Sequence, residues 1–295
     1  MGLEIATAPD SWGVWFPQDA KQVDWRRYLD EAAAAGYRWT ELGPVGYLPG
    51  DPETLSAELA GRGLGACGQA IMLPLEEPDV WPELERQLRA VGAVLQRLGA
   101  RHLILIDDMV TDLHSGALRQ PRELAPDAWR RLVETTDRAA RLVRDELGLV
   151  LAFHPHAETH VETEAQIERF LGATDPDLVT LCFDTGHHAY AGGEPLAFMR
   201  RHHDRIGYLH VKSIDAAVLN RVRREALPFA AAVAEGVMCD LERGAVDFRA
   251  FGDLLRAVGF CGFVVVEQDM YPAPPEQPLP IARANRDYLR RLGWG

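Results

Sequence analysis

The sequence predicts a single (β/α)₈ barrel, the TIM-barrel class of α/β folds, over residues 1–295. Short apolar segments alternate with longer amphipathic segments, and the short ones number eight. Several of the longer segments end at a glycine, which is the usual residue just past a helix. No linker or composition break divides the 295 residues, 47% of which are hydrophobic. Strict β–α alternation implies parallel strands, and eight repeats close a barrel.

The predicted elements follow from this alternation, in chain order. The strands are Leu3–Ala8, Tyr37–Leu42, Gly65–Ile71, His102–Ile106, Leu149–Phe153, Leu178–Phe183, Ile206–Val211 and Phe263–Glu267. The helices between them include Trp25–Ala35, Pro52–Arg62, Trp81–Leu98, Asp127–Leu147, Thr163–Leu171, Pro195–His202 and Phe248–Val258. An open doubly wound sheet is the rival fold, but no G-x-G-x-x-G follows the first strand, which weakens that alternative.

Two segments lie outside the regular repeat. The segment 215–245, most of it Asp215–Glu242, is longer than a plain connection between a strand and a helix. We predict a helical insertion there, near the mouth of the barrel. The proline-rich stretch Tyr271–Pro280 is expected to be extended and to lead to a last helix near Ala282–Leu292, within a C-terminal extension over 271–295.

Composition excludes several classes of function. The formal net charge is −13 at pH 7, which repels phosphate backbones and anionic lipids, so neither nucleic acid nor a membrane is an expected partner. No run approaches ~18 apolar residues, and the N-terminus lacks the pattern of a signal peptide. The four cysteines lack C-x-x-C spacing, so no structural zinc or redox motif is indicated. A cytoplasmic enzyme is expected, and whether it forms a homo-oligomer is left open.

Ionisable residues cluster where the predicted strands end, and active sites of this fold lie at the C-terminal ends of the strands. Taken singly, Asp184 has an alternative as a helix cap and His210 one as a buried core histidine. Together, strands five to eight each end in His, Asp or Glu, a crowding that a cation would neutralise. The residues concerned are Glu41, Asp107, Asp108, His154, His156, Glu158, His160, Asp184, His210, Lys212, Glu267 and Asp269.

The mixture of imidazole and carboxylate groups indicates one divalent metal ion in an open site. Mn²⁺ and Co²⁺ are the first choices, with Mg²⁺, Fe²⁺ and Zn²⁺ as further options, whereas Ca²⁺ prefers oxygen ligands alone. Lys212 follows His210 by two residues, so both side chains are expected to point into the barrel. A nearby cation and partial burial are expected to lower the pKa of Lys212, which would make it a proton carrier or a hydrogen-bond donor to substrate. A solvated lysine paired with Asp184 or Asp215 is the alternative.

Several motifs together resemble the xylose-isomerase-like TIM-barrel superfamily. They are IATAPDSWG, AAAGYRWTELGP, HPHAETHVET, DTGHHAYAGG, YLHVKS, and EGV…GAVDF before VVVEQD. Within the superfamily the sequence is most similar to inosose dehydratases and to sugar phosphate isomerases/epimerases. The resemblance runs from about Leu3 to Asp269. It departs from related proteins at Ser213, where dehydratase-like members often have Asp, and at Glu242 in LERGAVDF.

The resemblance implies a metal site built from strands five to eight. Matched by motif, Asp184, His210 and Glu267 are three of its ligands. Epimerases and isomerases usually place a glutamate on strand five, whereas this chain has His154 followed by Pro155. His154 is therefore the expected fourth ligand, with His156 as its rival.

The expected function is that of a metal-dependent lyase, which dehydrates a keto-cyclitol or related polyhydroxy carbonyl compound through a metal-stabilised enolate. A metal-dependent isomerase or epimerase of a ketose or sugar phosphate is the alternative, and a non-catalytic barrel and a DNA-repair nuclease are weaker ones. The candidate catalytic residues are Lys212, His156 and Glu267, and the candidate substrate-binding residues are Glu41, His187, Trp12 and Asp108. Packing at the barrel rim is the alternative for Trp12.

Overall fold

Eight parallel strands close into a barrel in the computed structural model, which describes residues 2–295. Around the barrel their order is one, eight, seven, six, five, four, three, two, so each strand pairs with its neighbours in the chain and the first pairs with the last. The predicted fold is confirmed. The strands are Leu3–Thr7, Trp39–Glu41, Gly65–Leu73, His102–Asp107, Val150–Phe153, Val179–Asp184, Ile206–Val211 and Gly262–Val266.

Helices surround this barrel and differ from the predicted ones mainly at their ends. The α-helices are Trp25–Ala34, Pro52–Ala60, Trp81–Leu98, Pro126–Asp145, Glu164–Ala173, Thr185–Tyr190, Pro195–His202, Ala216–Glu225, Phe229–Ala234, Phe248–Ala257 and Pro278–Arg291. Short 3₁₀ helices lie at Pro9–Trp12 and His203–Arg205. The short helix Thr185–Tyr190 was not predicted, and the last helix begins at Pro278 rather than Ala282 because proline fits the first turn of a helix. Within residues 2–295, no helix combines the length and the apolar composition needed to cross a membrane.

The core has two layers, one inside the barrel and one between the strands and the helices. Small and medium side chains fill the interior, among them Ala6, Cys67, Ala152, Cys182 and Val265. The outer layer contains larger aliphatic and aromatic residues. Tyr208 also lies in this interior cluster, and its hydroxyl donates a hydrogen bond to Cys67 Sγ at 3.2 Å. Side chains two residues apart in a strand point to the same side. His210 and Lys212 therefore follow Tyr208 on the interior side of the barrel, nearer its mouth.

The segment 215–245 lies at the mouth, where it adds a third apolar cluster. A two-stranded antiparallel ribbon joins Ser213–Ile214 to Met238–Cys239. Between these strands lie the helices Ala216–Glu225 and Phe229–Ala234. Phe229 is buried and packs near the rings of His156 and His187, with centroids 5.8 Å away in each case. The insertion therefore supplies an aromatic wall beside the strand ends.

His102 predicts a pH dependence of stability that is separate from the mouth. Its ring packs against Tyr208 and Phe263, and burial, with a smaller effect of Arg101, lowers its pKa to about 4. The unfolded chain, with a histidine pKa of about 6.5, takes up a proton first as pH falls, so stability is lost between these two values. We expect the stability difference between pH 7 and pH 4.5 to be about 2 kcal/mol smaller in His102→Leu, measured by urea unfolding. An unchanged pH dependence would assign the effect to other groups.

Candidate functional site

Four side chains from strands five to eight meet at the C-terminal end of the barrel. His154, Asp184, His210 and Glu267 each offer one ligand atom, and these atoms all lie within 4.8 Å of one another. Each of the four side chains is 2–5% exposed. His154 Nε2 lies 3.1 Å from His210 Nδ1, which in turn lies 3.1 Å from Glu267 Oε2. The strand register explains the meeting, because Asp184 pairs with His210 on neighbouring strands and His210 pairs with Val265, two residues before Glu267.

The hydrogen bonds of Asp184 leave one carboxylate oxygen free for a cation. Its Oδ1 caps the helix Thr185–Tyr190 by accepting from the backbone N–H groups of Gly186 at 2.7 Å and His187 at 2.8 Å. Its Oδ2 is buried and has no hydrogen-bond partner among residues 2–295. That oxygen lies 3.6 Å from His154 Nε2 and 3.7 Å from His210 Nδ1. A buried anionic oxygen facing two imidazole nitrogens fits a divalent cation of the kind that accepts mixed nitrogen and oxygen ligands.

Glu41 orients one of these imidazoles. Its Oε1 lies 2.7 Å from His210 Nε2. A proton on Nε2 leaves the Nδ1 lone pair directed at Glu267 and Asp184, which is the usual way in which a carboxylate fixes the tautomer of a ligating histidine. Glu41 also borders the cavity above the site, so its position is compatible with the predicted contact to substrate as well.

Lys212 lies among three carboxylates beside the four candidate ligands. Its Nζ is 2.7 Å from Glu267 Oε2, 2.8 Å from Asp269 Oδ2 and 3.4 Å from Asp184 Oδ2. Gly186 makes this packing feasible, because a Cβ at that position would lie 2.2 Å from Lys212 Cβ. The residue is 2% exposed, so it is not solvated as the alternative held, although the pairing with Asp184 in that alternative is present.

The charge state of Lys212 differs from the sequence-based expectation. Burial lowers its pKa, but the carboxylates of Asp184, Asp269 and Glu267 outweigh burial and raise the pKa well above its ordinary value. The same contacts act on Glu267: burial opposes its ionisation, but His210 and Lys212 outweigh burial and lower its pKa. Lys212 is therefore held as an ammonium ion, and the role open to it is that of a proton or hydrogen-bond donor.

His156 and His187 form a neutral imidazole pair next to this lysine. Their ring centroids are 3.9 Å apart. Burial, with help from His154 and Lys212, lowers the pKa of His156 to about 3. Its Nδ1 lies 2.9 Å from the carbonyl oxygen of Ala157, which assigns the proton to Nδ1 and leaves Nε2 as an acceptor. His156 is not one of the four clustered ligands.

His187 contacts two neighbours of the pocket, Lys212 and Ala157. Burial, followed by the effect of His156, lowers its pKa well below the ordinary value. Its Nε2 is 3.2 Å from Lys212 Nζ, and its Nδ1 accepts from the backbone N–H of Ala157 at 3.4 Å. His187 is 2% exposed and is not among the residues that line the two cavities, and its contact with substrate hydroxyls stays a prediction.

Two adjoining cavities of about 450 and 330 Å³ open above the four ligands. Both volumes are in the range of roughly 300–1,000 Å³ that is typical of small-molecule sites. Asp108 lines the smaller cavity, and its contact with substrate stays a prediction. The lining that the two cavities share is Asp10, Trp15, Met72, His156 and Asp269.

Trp12 does not line these cavities, and this correction follows from its contacts. It is 1% exposed, its indole N–H donates to Glu31 Oε2 at 2.8 Å, and its ring packs edge-on against Tyr28. The 3₁₀ helix Pro9–Trp12 turns the chain so that Trp12 packs outside the barrel. The alternative of simple packing holds for Trp12, and Trp15 is the tryptophan at the cavity, stacked on Tyr271 with centroids 4.8 Å apart.

Sequence reasoning missed two further pocket residues, Asp10 and Phe229, and gave no role to Asp269, which it placed only among the groups at the strand ends. Asp10 follows the first strand within the motif IATAPDSWG, and Asp269 follows Glu267 by two residues, so both had a signal in their position after a strand. Burial, followed by Glu267, raises the pKa of Asp10 well above its ordinary value. Phe229 comes from the inserted segment, and no local pattern indicates that it would reach the pocket.

Glu158 lies away from the candidate metal ligands. It is 8% exposed, and its carboxylate accepts a hydrogen bond from the hydroxyl of Thr111. The backbone of Glu158 has a φ of 59°, in the left-handed region.

Comparisons with known proteins agree with this fold. A family model described as xylose isomerase-like TIM barrel matches residues 29–292. The inosose dehydratase of Geobacillus kaustophilus (strain HTA426) is 33% identical over 303 residues, covering 98% of this chain and 94% of that protein.

Solved structures share the fold at lower identity. The zinc-bound structure of the IolI protein has a TM-score of 0.71 and 14% identity, covering 99% of both chains. An L-ribulose 3-epimerase has a TM-score of 0.71 and 20% identity, covering 98% of this chain and 93% of the other. At these identities the likeness concerns the fold alone.

Proposed function

Because this chain belongs to the xylose isomerase-like TIM-barrel family and is an enzyme, we propose that it is a divalent-metal-dependent lyase that dehydrates an uncharged keto-cyclitol. The observation that carries the proposal is the similarity to an inosose dehydratase over 98% of this chain. The strand-five segment supports it, because the resemblance described above implies a glutamate at this position in epimerases, where this chain has His154.

The cation would be held by His154, Asp184, His210 and Glu267, whose donor atoms already converge. When bound, it supplies Lewis-acid polarisation of the substrate carbonyl. We propose Mn²⁺ or Co²⁺, because two imidazoles and two carboxylates suit these ions. The zinc bound to the IolI protein supports a divalent ion on this fold without naming the one used here.

The surrounding residues divide into a donor and an acceptor of protons. Dehydration requires removal of a proton next to a carbonyl and loss of a hydroxyl one carbon further on. Lys212 is an ammonium ion beside the candidate ligands, so we assign it the protonation of the departing hydroxyl. His156 is neutral, with Nε2 free, and lines both cavities, so we assign it the acceptance of the carbon-bound proton. Groups whose environments drive their pKa values apart are suited to such a division of roles.

The charge of the cavity walls indicates an uncharged substrate. Six carboxylates line the two cavities, whereas the permanently cationic side chains there are Arg119 and Lys212. A phosphate group would meet like charges at short range and lose its hydration, while Arg119 is already paired with Asp112 and Lys212 with Glu267 and Asp269. The carboxylates are those of Asp10, Glu41, Asp108, Asp112, Glu267 and Asp269.

The second candidate is an isomerase or epimerase that uses the same cation. The placement of Glu267 and the neutral His156 in one cavity favours it, because a carboxylate and an imidazole there would be able to remove and return a proton of the substrate. The fold shared with an L-ribulose 3-epimerase is compatible with this alternative. The two candidates differ in product, since only dehydration releases water and forms a conjugated carbonyl compound.

We expect the Mn²⁺-loaded enzyme to convert a keto-cyclitol into a product that absorbs in the ultraviolet and has lost one water by mass spectrometry. Uncharged ketoses and ketose phosphates are assayed in parallel, and the phosphates are expected to react at least ~10-fold more slowly, judged by kcat/KM. His154→Ala treated identically is the control for background elimination. Conversion of the substrate into a product of unchanged mass would contradict the lyase and favour the isomerase.

A further inference from the structure

A second cluster of ionisable side chains lies beside the active-site mouth and takes no part in the chemistry above. Glu76 lies in the connection after the third strand, Asp107 ends the fourth strand, and His160 follows the fifth strand. One ligand atom from each lies within 4.8 Å of the other two. The three residues are 3%, 1% and 2% exposed. Three successive connections between strands and helices therefore converge on one buried polar spot.

The hydrogen bonds of this cluster are incomplete. Asp107 is well supplied: its Oδ1 accepts from Leu75 N–H at 3.2 Å, and its Oδ2 lies 2.7 Å from His160 Nδ1. Among residues 2–295, neither carboxylate oxygen of Glu76 has a hydrogen-bond partner, and His160 Nε2 has none either. Buried polar atoms are nearly always paired, so three unpaired atoms in one cluster indicate a missing ligand.

Within residues 2–295, no lysine or arginine forms an ion pair with the carboxylate of Glu76. Arg131 approaches it, but its Nε donates to the backbone carbonyl oxygen of Glu76, at 2.7 Å, and not to the carboxylate. Burial and the charge of Asp107 raise the pKa of Glu76 to about 6. The cluster thus holds two buried carboxyl groups and one imidazole within 4.8 Å, an arrangement whose anionic form costs free energy unless a cation is added.

We propose that Glu76, Asp107 and His160 form a second divalent-cation site, which is structural and separate from the four ligands at the barrel axis. One nitrogen and two or more oxygen donors suit Zn²⁺, Mn²⁺ or Co²⁺, with water in the remaining positions. The cation would join the connections that follow strands three, four and five. The last of these begins with His154 and His156, so the site would also hold the segment that supplies them.

The number of bound ions tests this proposal without an activity assay. Protein freed of metal with a chelator is dialysed against Mn²⁺ or Zn²⁺, and the bound metal is measured by elemental analysis. We expect about two ions per chain in the wild type, about one in Glu76→Gln and about one in His154→Ala. The double variant should bind neither ion. Glu77→Gln is the matched control, because Glu77 is the exposed neighbour of Glu76 and should leave both ions in place.

A thermal measurement separates this site from the one proposed for catalysis. In the His154→Ala background, metal should raise Tm, and adding Glu76→Gln or His160→Gln should abolish that rise. His160→Gln serves as the second variant if Glu76→Gln does not fold. Equal metal content in wild type and Glu76→Gln, with no effect of metal on the Tm of His154→Ala, would overturn the proposal and assign the cluster to a shared proton or a buried water. Because this change in Tm is measured in the His154→Ala variant, the test does not depend on the proposed function.

Discussion

His154→Ala is expected to remove most of the metal bound at the barrel axis and to lower kcat/KM by about 10³-fold or more. Its Nε2 is one of four donor atoms within 4.8 Å of one another, and the loss leaves three ligands and a gap. A metal ion supplies several kcal/mol of transition-state stabilisation, and each 1.4 kcal/mol corresponds to about tenfold in rate. The measurements are metal content at a fixed free concentration of Mn²⁺ and kcat/KM for a keto-cyclitol that the wild type converts.

Two matched variants make this result specific. Glu158→Ala removes a carboxylate from the same segment, but one that contacts Thr111 and not the candidate ligands, so metal content should be unchanged at the axial site. His156→Ala removes the imidazole that competes with His154 for the role of ligand, and metal should again be retained while turnover falls. If Glu158→Ala or His156→Ala lost the axial metal and His154→Ala did not, the strand-five ligand would have to be reassigned.

Lys212→Arg is expected to retain the axial metal while kcat falls by ~100-fold or more, the usual scale for losing a positioned acid or base. Arginine keeps the positive charge that Glu267 and Asp269 require, but its planar guanidinium does not reproduce the compact ammonium group as a proton donor to the departing hydroxyl. The guanidinium group of arginine is also larger than the ammonium group of Lys212, which lies 2.7 and 2.8 Å from those carboxylates. The measurements are kcat under saturating substrate, metal content and Tm.

The second variant for this position is Lys212→Met, which conserves length without charge. Should Lys212→Arg prove too large for the space against Gly186, Lys212→Met still tests whether the ammonium group is needed. Turnover of Lys212→Arg within a few-fold of the wild type, with normal Tm, would show that Lys212 does not transfer a proton. The donor role would then pass to another group in the pocket, with Asp269 first because burial and Glu267 raise its pKa.

The barrel itself was predictable from the sequence because its signals are local. Alternating apolar and amphipathic segments set strand and helix order, and glycines such as Gly99 mark helix ends by adopting the left-handed conformation, here with a φ of 71°. The candidate ligands were predictable for a related reason. Parallel strands share one C-terminal edge, so residues that follow strands, such as Asp184 and His210, are brought near each other by topology alone.

The tertiary structure decided what depends on contacts between distant segments. Trp12 and Trp15 both follow the first strand, and no sequence pattern indicates which of them faces the cavity. The turn of the 3₁₀ helix Pro9–Trp12 places only Trp15 there. Phe229 reached the pocket through the fold of an insertion whose position no local pattern describes.

Charge states belong to the same category. The pKa of Lys212 is set by carboxylates 28, 55 and 57 residues away in the chain, namely Asp184, Glu267 and Asp269, and these outweigh the burial that the sequence alone indicated. Glu76, Asp107 and His160 likewise come from three separate connections, and their convergence appears only after the barrel closes. Periodicity and strand ends are properties of single segments, whereas the partners of a buried charge are set by how the segments pack, and this is why the sequence by itself determined the fold and the candidate ligands but not the chemistry of the pocket.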